Sequence, residues 1–421
     1  MSLPDQDKWG NLALLRLNAY GLGINGFFLG IDTVVLPVLV LVLTPEGLKN
    51  TSLGVLGVCG FAVAAVTQIL VARSSDRTRS RLGRRVPYML GGCIVVCLGI
   101  VGVALAPHYW VLFGVWMVVQ AGLNIGYGPH LALIQDLVPT NRTGVASAIK
   151  ILTEAVSVVI FIWISSKLMA SYDFGRGAHW LWAALLIPGA TLVAATVVSS
   201  SAVLTRQVSG APSAATLEWN EGTLPALHPQ LRRFLISRFM MVAPVFVFQT
   251  YGLFFLRDKV GLVDPVVELG NMVLFIGAGI SVSAYSAGWA SDRFGRKPVI
   301  LTGSIVAAGS TWAMLFAGSS MEVLIIATVI GLSVGALLAS DWAMANDLGT
   351  SGREAMHIGV VNLATIAGAA SAKIIGPGVD LLNSASEASG YSALLIGCGA
   401  FFLIGGLVLA PIRPDLRRAS V

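Results

Sequence analysis

The chain has 421 residues, of which 56% are hydrophobic and only 11% charged, with a net charge of +6. A soluble domain carries roughly one-quarter charged residues, so this composition excludes a soluble enzyme and selects a polytopic membrane protein. Forty-seven glycines without a three-residue period exclude collagen, and 10 Trp and 17 Phe among long apolar runs exclude a linker.

The polar start MSLPDQDKWGN lacks the basic region, short apolar core and cleavage site of a secretory signal, so the first apolar run is expected to stay. A spanning helix needs about 20 mostly apolar residues, and open sheet edges are excluded from hydrocarbon. Twelve runs meet that requirement: Leu17–Leu43, Ser52–Val71, Pro87–Ala106, Tyr109–Leu133, Val145–Leu168, Trp180–Leu204, Phe234–Leu256, Val266–Ala290, Val299–Ala317, Val323–Ala345, His357–Val379 and Tyr391–Ile412. The expected fold is therefore all-α, with 12 transmembrane helices. Cys59, Cys93, Cys97 and Cys398 all fall inside apolar runs, where thiols pack as small hydrophobes. No disulfide, metal or other cofactor is expected, and no Walker-type loop points to ATP.

Orientation follows from Lys and Arg, which accumulate in short cytoplasmic loops. Putting the N-terminus inside collects Lys8, Arg16, the six arginines from Arg73 to Arg85, Arg142, Arg206, Arg232, Arg233, Arg238, Arg293, Arg296, Lys297, Arg353, Arg413, Arg417 and Arg418. The outer loops then hold Lys49, Lys167, Arg176, Arg257 and Lys259, which leaves Lys150 and Lys373 within spans. Both termini are expected in the cytoplasm of a multi-pass protein of the cell membrane. Because the basic charge is dispersed over loops, with no basic aromatic groove, nucleic acid is not an expected partner.

The chain also repeats itself. SSDRTRSRLGRRVPYML, from Ser74, follows the second span, and ASDRFGRKPVIL, from Ala290, follows the eighth. QDLVPTNRTG after the fourth span is matched by NDLGTSGREA after the tenth, so that Asp136 and Arg142 share their spacing with Asp347 and Arg353. Two six-helix bundles follow, residues 1–204 and 231–421, joined by a cytoplasmic linker over 205–230. In transporters built from such repeats the substrate path lies at the repeat interface near mid-membrane.

The Asp-Arg-x-Gly-Arg-Arg/Lys pattern after the second and eighth spans resembles the signature loop of the major facilitator superfamily. The expanded first copy, Ser75 to Tyr88, resembles that of the glycoside–pentoside–hexuronide:cation symporters and sucrose transporters. Gly128 to Leu137, GPHLALIQDL, is similar to the end of the fourth helix of sucrose transporters. The resemblance covers essentially the whole chain and implies alternating access, with helices 1, 4, 7 and 10 lining the cavity. In the signature loops Gly83 and Gly295 permit tight turns. Asp76 with Arg77, Arg84 and Arg85, and Asp292 with Arg293 and Arg296, are expected to form gating contacts by pairing or by capping a helix end. Asp136 with Arg142, and Asp347 with Arg353, are expected to form charge pairs at the inner rim.

Charges within the bilayer are costly and mark a pathway or a partner. The candidates are Asp32, Lys150, Glu154, Asp341 and Lys373. Asn18, Asn25 and Asp32, seven residues apart, share one helical stripe. Asp32 is read either as a proton carrier or as a structural acid satisfied by backbone or Lys373. Gln120, Asn124 and Tyr127 line one face of the fourth span, near Trp116, and offer a sugar hydrogen-bonding groups plus an apolar ring face; the alternative is polar packing between helices. Gln120 stands where the sucrose-transporter pattern has an acid, and Leu131 where it has an Arg. His130 and Asp341 occupy equivalent repeat positions, with Trp342 beside Asp341 and Gln249 on the seventh span. Lys150 and Glu154, one turn apart, can pair. Lys373 shares a face with Asn362; similar symporters carry a Lys in this helix that works with acids on the second helix, which this chain lacks, so no sodium site is expected.

These residues make Asn25, Gln120, Asn124, Tyr127, Gln249, Trp342, Asn362 and Lys373 the candidate substrate contacts, and Asp32, His130, Glu154 and Asp341 the candidate proton-coupling groups. The leading reading is a monomeric, proton-coupled importer of a small solute, a sugar or glycoside. The alternatives are a proton-coupled exporter of drugs or metabolites, disfavoured by the missing Gly-x-x-x-Gly-Pro in the fifth span, and an organic-anion transporter using Lys373 or His130.

Overall fold

The computed structural model describes residues 9–172, 177–207, 229–348 and 354–411. The predicted linker is outside the described residues over 208–228, as is Arg353. Twelve helices in the described chain are long and apolar enough to cross a membrane. They are α1 (Asn11–Leu43), α2 (Glu46–Arg77), α3 (Val86–Ala104), α4 (Tyr109–Leu137), α5 (Thr143–Met169), α6 (Ala178–Thr205), α7 (Pro229–Val260), α8 (Pro265–Phe294), α9 (Arg296–Phe316), α10 (Ser320–Ala345), α11 (Val360–Ala385) and α12 (Ser389–Leu409).

The chain divides into two compact units: Met1–Thr44 with Leu56–Trp219, and Pro45–Val55 with Asn220–Val421. The start of α2 therefore groups with the second unit, although in sequence it belongs to the first repeat. In the first unit α1 packs on α5 and α6, and α3 on α4 and α6. The second unit repeats that pattern six helices later: α7 packs on α11 and α12, and α9 on α10 and α12. The repeat legible in the loops is thus also a repeat of packing.

Small residues allow this close approach, since association inside a membrane rests on van der Waals contact rather than on burial from water. A Cβ on Gly92 of α3 would lie 2.5 Å from the Gly122 carbonyl oxygen of α4, and one on Gly331 of α10 would lie 2.3 Å from that of Ile276 on α8. Neither backbone atom can rotate away. Gly331→Ala is therefore expected to lower stability by about 1–3 kcal/mol by overpacking. Gly309→Ala on α9, where a methyl meets nothing within 4 Å, should stay within about 0.5 kcal/mol of the parent. Thermal unfolding of the purified variants in detergent makes the comparison.

Proline shapes α1 where it matters for chemistry. Pro37 has no N–H for the carbonyl four residues back, and its ring crowds that carbonyl. The helix widens into a π turn over Ile31–Val35 just before it, a form common at functional sites. Asp32 lies in that turn, so the stripe expected from uniform seven-residue spacing changes register at its last member. Gly83 and Gly295 both have positive φ, +77° and +93°, which only glycine adopts without strain.

Candidate functional site

Each unit holds buried polar groups within its spans. In the first unit they gather where α1, α4 and α5 meet around Gly21. A Cβ there would sit 2.4 Å from Glu154 Oε1 and 3.0 Å from His130 Nε2. Glycine is what lets an acid from α5 and an imidazole from α4 share one spot against α1. Lys150 Nζ lies 3.6 Å from Glu154 Oε1, as the one-turn spacing suggested, but beyond hydrogen-bond reach. His130 is 2% exposed, and both its nitrogens, like Glu154 Oε1, have no hydrogen-bond partner among the described residues. The rings of Tyr20 and Tyr127 lie 5.2 and 6.3 Å from that of His130, and the Tyr127 hydroxyl lies beside the Asn25 amide.

Buried polar atoms are nearly always hydrogen-bonded, so a carboxylate oxygen held only by a 3.6 Å ion pair, beside an imidazole with no hydrogen bond among the described residues, calls for an explanation. A proton, a water or a substrate hydroxyl would satisfy them. Other polar residues of this unit have their own contacts, although Asn18 Oδ1 and Trp116 Nε1 also have no hydrogen-bond partner among the described residues. Asn124 Oδ1 accepts from Gln68 Nε2 at 2.7 Å, and its amide donates to the Gln120 carbonyl at 2.8 Å. Gln120 is buried against Gly60 of α2. Asn18 donates to the Ala146 carbonyl at 3.2 Å and Asn25 to the Gly21 carbonyl at 3.0 Å. Trp116 is fully buried and stacked on Phe28, so its ring is not open for a sugar. Asp32 is buried and has a partner of its own.

In the second unit Arg238 is not the loop charge expected from its neighbours. Counted as a cytoplasmic loop charge, it is 2% exposed within α7 and ion-paired to Asp341 of α10. Its Nε donates to Thr365 Oγ1 of α11 at 3.0 Å, and its guanidinium stands 4.5 Å from the centre of the Trp342 ring. Asp341 Oδ1 has no hydrogen-bond partner among the described residues. Trp342 is 42% exposed, Gln249 is half-buried and Asn362 exposed. Lys373 is buried, with a partner of its own.

Lys49, expected in an outer loop, is also buried. It pairs with Glu46 and, at 2.6 Å, with Asp258. Arg257 reaches Glu46 at 3.1 Å, and the Tyr391 hydroxyl donates to Asp258 at 2.8 Å. Asp380 of α11, which the sequence did not single out, accepts from the backbone N–H and hydroxyl of Thr51 at 2.7 and 2.6 Å, and from the Asn50 amide at 2.8 Å. That carboxylate caps the first turn of α2, where a negative charge meets the positive end of the helix dipole.

The signature loops carry the expected acids, with one change of partner. Asp76 pairs with Arg85 at 2.7 Å, and Asp292 with Arg296 at 2.5 Å. Asp136 does not pair with Arg142. It takes Arg84 at 3.0 Å and Arg85 at 2.9 Å, while Arg142 donates to the Trp9 carbonyl at 3.0 Å. The helix ends between them at Leu137 and the chain turns at Pro139, so six-residue spacing does not bring the two side chains together. Arg293 stacks on Trp289, 5.4 Å from the ring centre. The Asp347 side chain is not among those described.

Twelve spans in two like-packed units, with ionisable side chains buried inside them, are the architecture of a membrane transporter built from repeats. The chain belongs to the MFS/sugar transport protein family, whose pattern matches residues 19–408. It is 29% identical over 167 residues to an uncharacterized symporter of Synechocystis, covering 36% of this chain and 31% of the symporter. It is 24% identical over 331 residues to a multi-drug resistance efflux pump homolog of Lactococcus lactis, covering 77% and 78%. A sucrose transport protein of rice matches at 26% over 157 residues, 32% of this chain and 29% of that protein. The alignments to the symporter and the sucrose transport protein thus span about a third of those proteins' length. Among solved structures, a D-xylose-proton symporter superimposes with a TM-score of 0.69 at 13% identity over 95% of this chain and 97% of that one, which establishes the fold.

Proposed function

We propose that the protein imports a small polar solute, a sugar or glycoside, together with protons by alternating access. In this reading it works as a monomer in the cell membrane with both termini in the cytoplasm, an orientation supported by nineteen of its 27 basic residues once Arg238 is set aside. The observation that carries the coupling is the approach of Glu154 and His130 to one spot at Gly21, each with a buried atom that has no hydrogen-bond partner among the described residues. A carboxylate and an imidazole in that setting exchange one proton between them and satisfy both groups when a second arrives. The symporter and sucrose transport protein to which the chain is similar favour uptake of a sugar. Asn25 and Tyr127 of the first unit and, separately, Gln249, Trp342 and Asn362 of the second are the candidate substrate contacts in this reading. Asp76, Arg85, Asp136 and Asp292 hold the signature loops in the state seen and release them when the bundles rock.

Labelled disaccharides offered to proteoliposomes should accumulate when the outside is acid relative to the lumen and merely equilibrate when it is not. Asp32→Asn tests the second buried acid of this unit: it should remove accumulation and spare counterflow exchange, and unchanged accumulation rules Asp32 out as a carrier. The alignment to the efflux pump homolog, over three-quarters of the chain, supports export as the second reading. Acid-outside vesicles that expel a preloaded hydrophobic dye rather than load sugar would establish it.

A further inference from the structure

Arg238 is a guanidinium enclosed by helices, and such a cation requires an anion beside it. Asp341 supplies that anion through one oxygen, while its other oxygen, Oδ1, has no partner among the described residues. Thr365 holds the guanidinium at 3.0 Å and the Trp342 ring lies 4.5 Å beneath it. The cation therefore stays in place when its counter-ion changes. Among the described residues Arg238 is the one ionisable group bonded to Asp341. Lys373, the next cation along α11, lies eight residues past Thr365, about 12 Å along the axis at 1.5 Å per residue. Arg232 and Arg233 of α7 are exposed. Tyr251 and Asp258 of α7, Asp380 of α11 and Tyr391 and Cys398 of α12 are further ionisable groups on the helices packed here, Glu322 of α10 is exposed at its first turn, and among the described residues none of them is ion-paired with Asp341.

We propose that Arg238 is the receptor for a substrate carboxylate, and that the solute carried is an acidic sugar or a similar hydroxylated monocarboxylate. One desolvated cation holds one anion. When the substrate carboxylate takes the bidentate fork of Arg238, Asp341 gives up its place and binds a proton, so the charge of the site is unchanged. Oδ1 then carries or receives a hydrogen bond. The exchange balances: one proton is taken up for each carboxylate bound, and both leave together. This rests on the transport reading above. The proton at Glu154 drives accumulation, and the one at Asp341 neutralises the substrate.

The test uses the full purified chain in nanodiscs, with glucuronate, galacturonate, gluconate and lactate as acids and glucose and glucuronamide as neutral probes. Calorimetry and a pH electrode in weak buffer should record binding of at least one acid with uptake of about one proton per site, and neutral analogues about a hundredfold weaker, the scale of losing one member of a desolvated charge pair. Arg238→Gln should lose acid binding. Asp341→Asn should keep it with no proton uptake. The double change Arg238→Gln with Asp341→Asn removes both charges, so a folded double variant that fails to bind acid excludes misfolding as the cause. Equal binding of acid and neutral probes, acid binding without proton uptake, or no acid bound at all overturns the proposal. If glucose still accumulates under a pH gradient in the last case, only this inference fails; if nothing accumulates, the transport reading fails with it.

Discussion

Arg238→Leu is expected to destabilise the second unit by about 3–5 kcal/mol, the cost of stripping the partner from a buried charge. The side chain is 2% exposed and Asp341 3%, so water is not at hand to solvate the carboxylate left behind. Thr365 loses its donor at the same time, and Trp342 loses the cation above its ring, a contact worth about 2 kcal/mol when desolvated. Replacing both members with apolar residues, Arg238→Leu with Asp341→Leu, should recover most of the loss, because a buried ion pair and well-packed hydrophobes are close in stability. Thermal unfolding in detergent, monitored by size-exclusion recovery, distinguishes the cases. A single variant as stable as the parent would show that the pair is not a structural tie between α7 and α10.

Glu154→Gln is expected to abolish proton-driven accumulation of a neutral sugar while leaving counterflow exchange within about threefold. The amide keeps the volume and hydrogen-bonding capacity of the carboxyl group but cannot gain or lose a proton. Exchange needs the loaded carrier to reorient and does not need it to release a proton, so the two assays separate coupling from transport. A stoichiometric proton carrier lost from the cycle leaves only equilibration, which removes the whole concentration gradient. His130→Ala should weaken coupling less, since Glu154 remains. Accumulation by Glu154→Gln equal to that of the parent would remove this cluster from the coupling path.

Most of the fold was legible because its signals are long. Runs of twenty apolar residues and a loop motif repeated half a chain later survive any local irregularity, and the contacts α1 on α5 and α7 on α11 follow the repeat. The site was legible in part. Lys150 and Glu154 meet because i, i+4 spacing on one helix dictates it, whereas His130 and Glu154 meet only because Gly21 of a third helix leaves room. No spacing rule on α4 or α5 carries that information. Arg238 was hidden by company: with Arg232 and Arg233 it reads as one basic loop. The signal was nonetheless present, since Phe234, Ser237, Arg238 and Met241 are buried at helical spacing while Arg232 and Arg233 are exposed. Asp136 was paired with Arg142 on the strength of a repeat, but a turn separates them and the loop after α2 supplies both of its arginines. Asp380 and Lys49 lie at span ends, where charge is ordinary and only the fold shows that both are buried.

In the proposed cycle solute and protons enter together. Proteoliposomes holding the purified chain, in weakly buffered medium with potassium and valinomycin to clamp the voltage, would receive a panel of disaccharides and sugar acids while a pH electrode follows the outside. A transient alkalinisation is expected for each solute that enters; in Glu154→Gln it should be absent for neutral sugars and reduced for sugar acids, which keep the proton taken at Asp341. Entry of labelled solute with a flat external pH would contradict it.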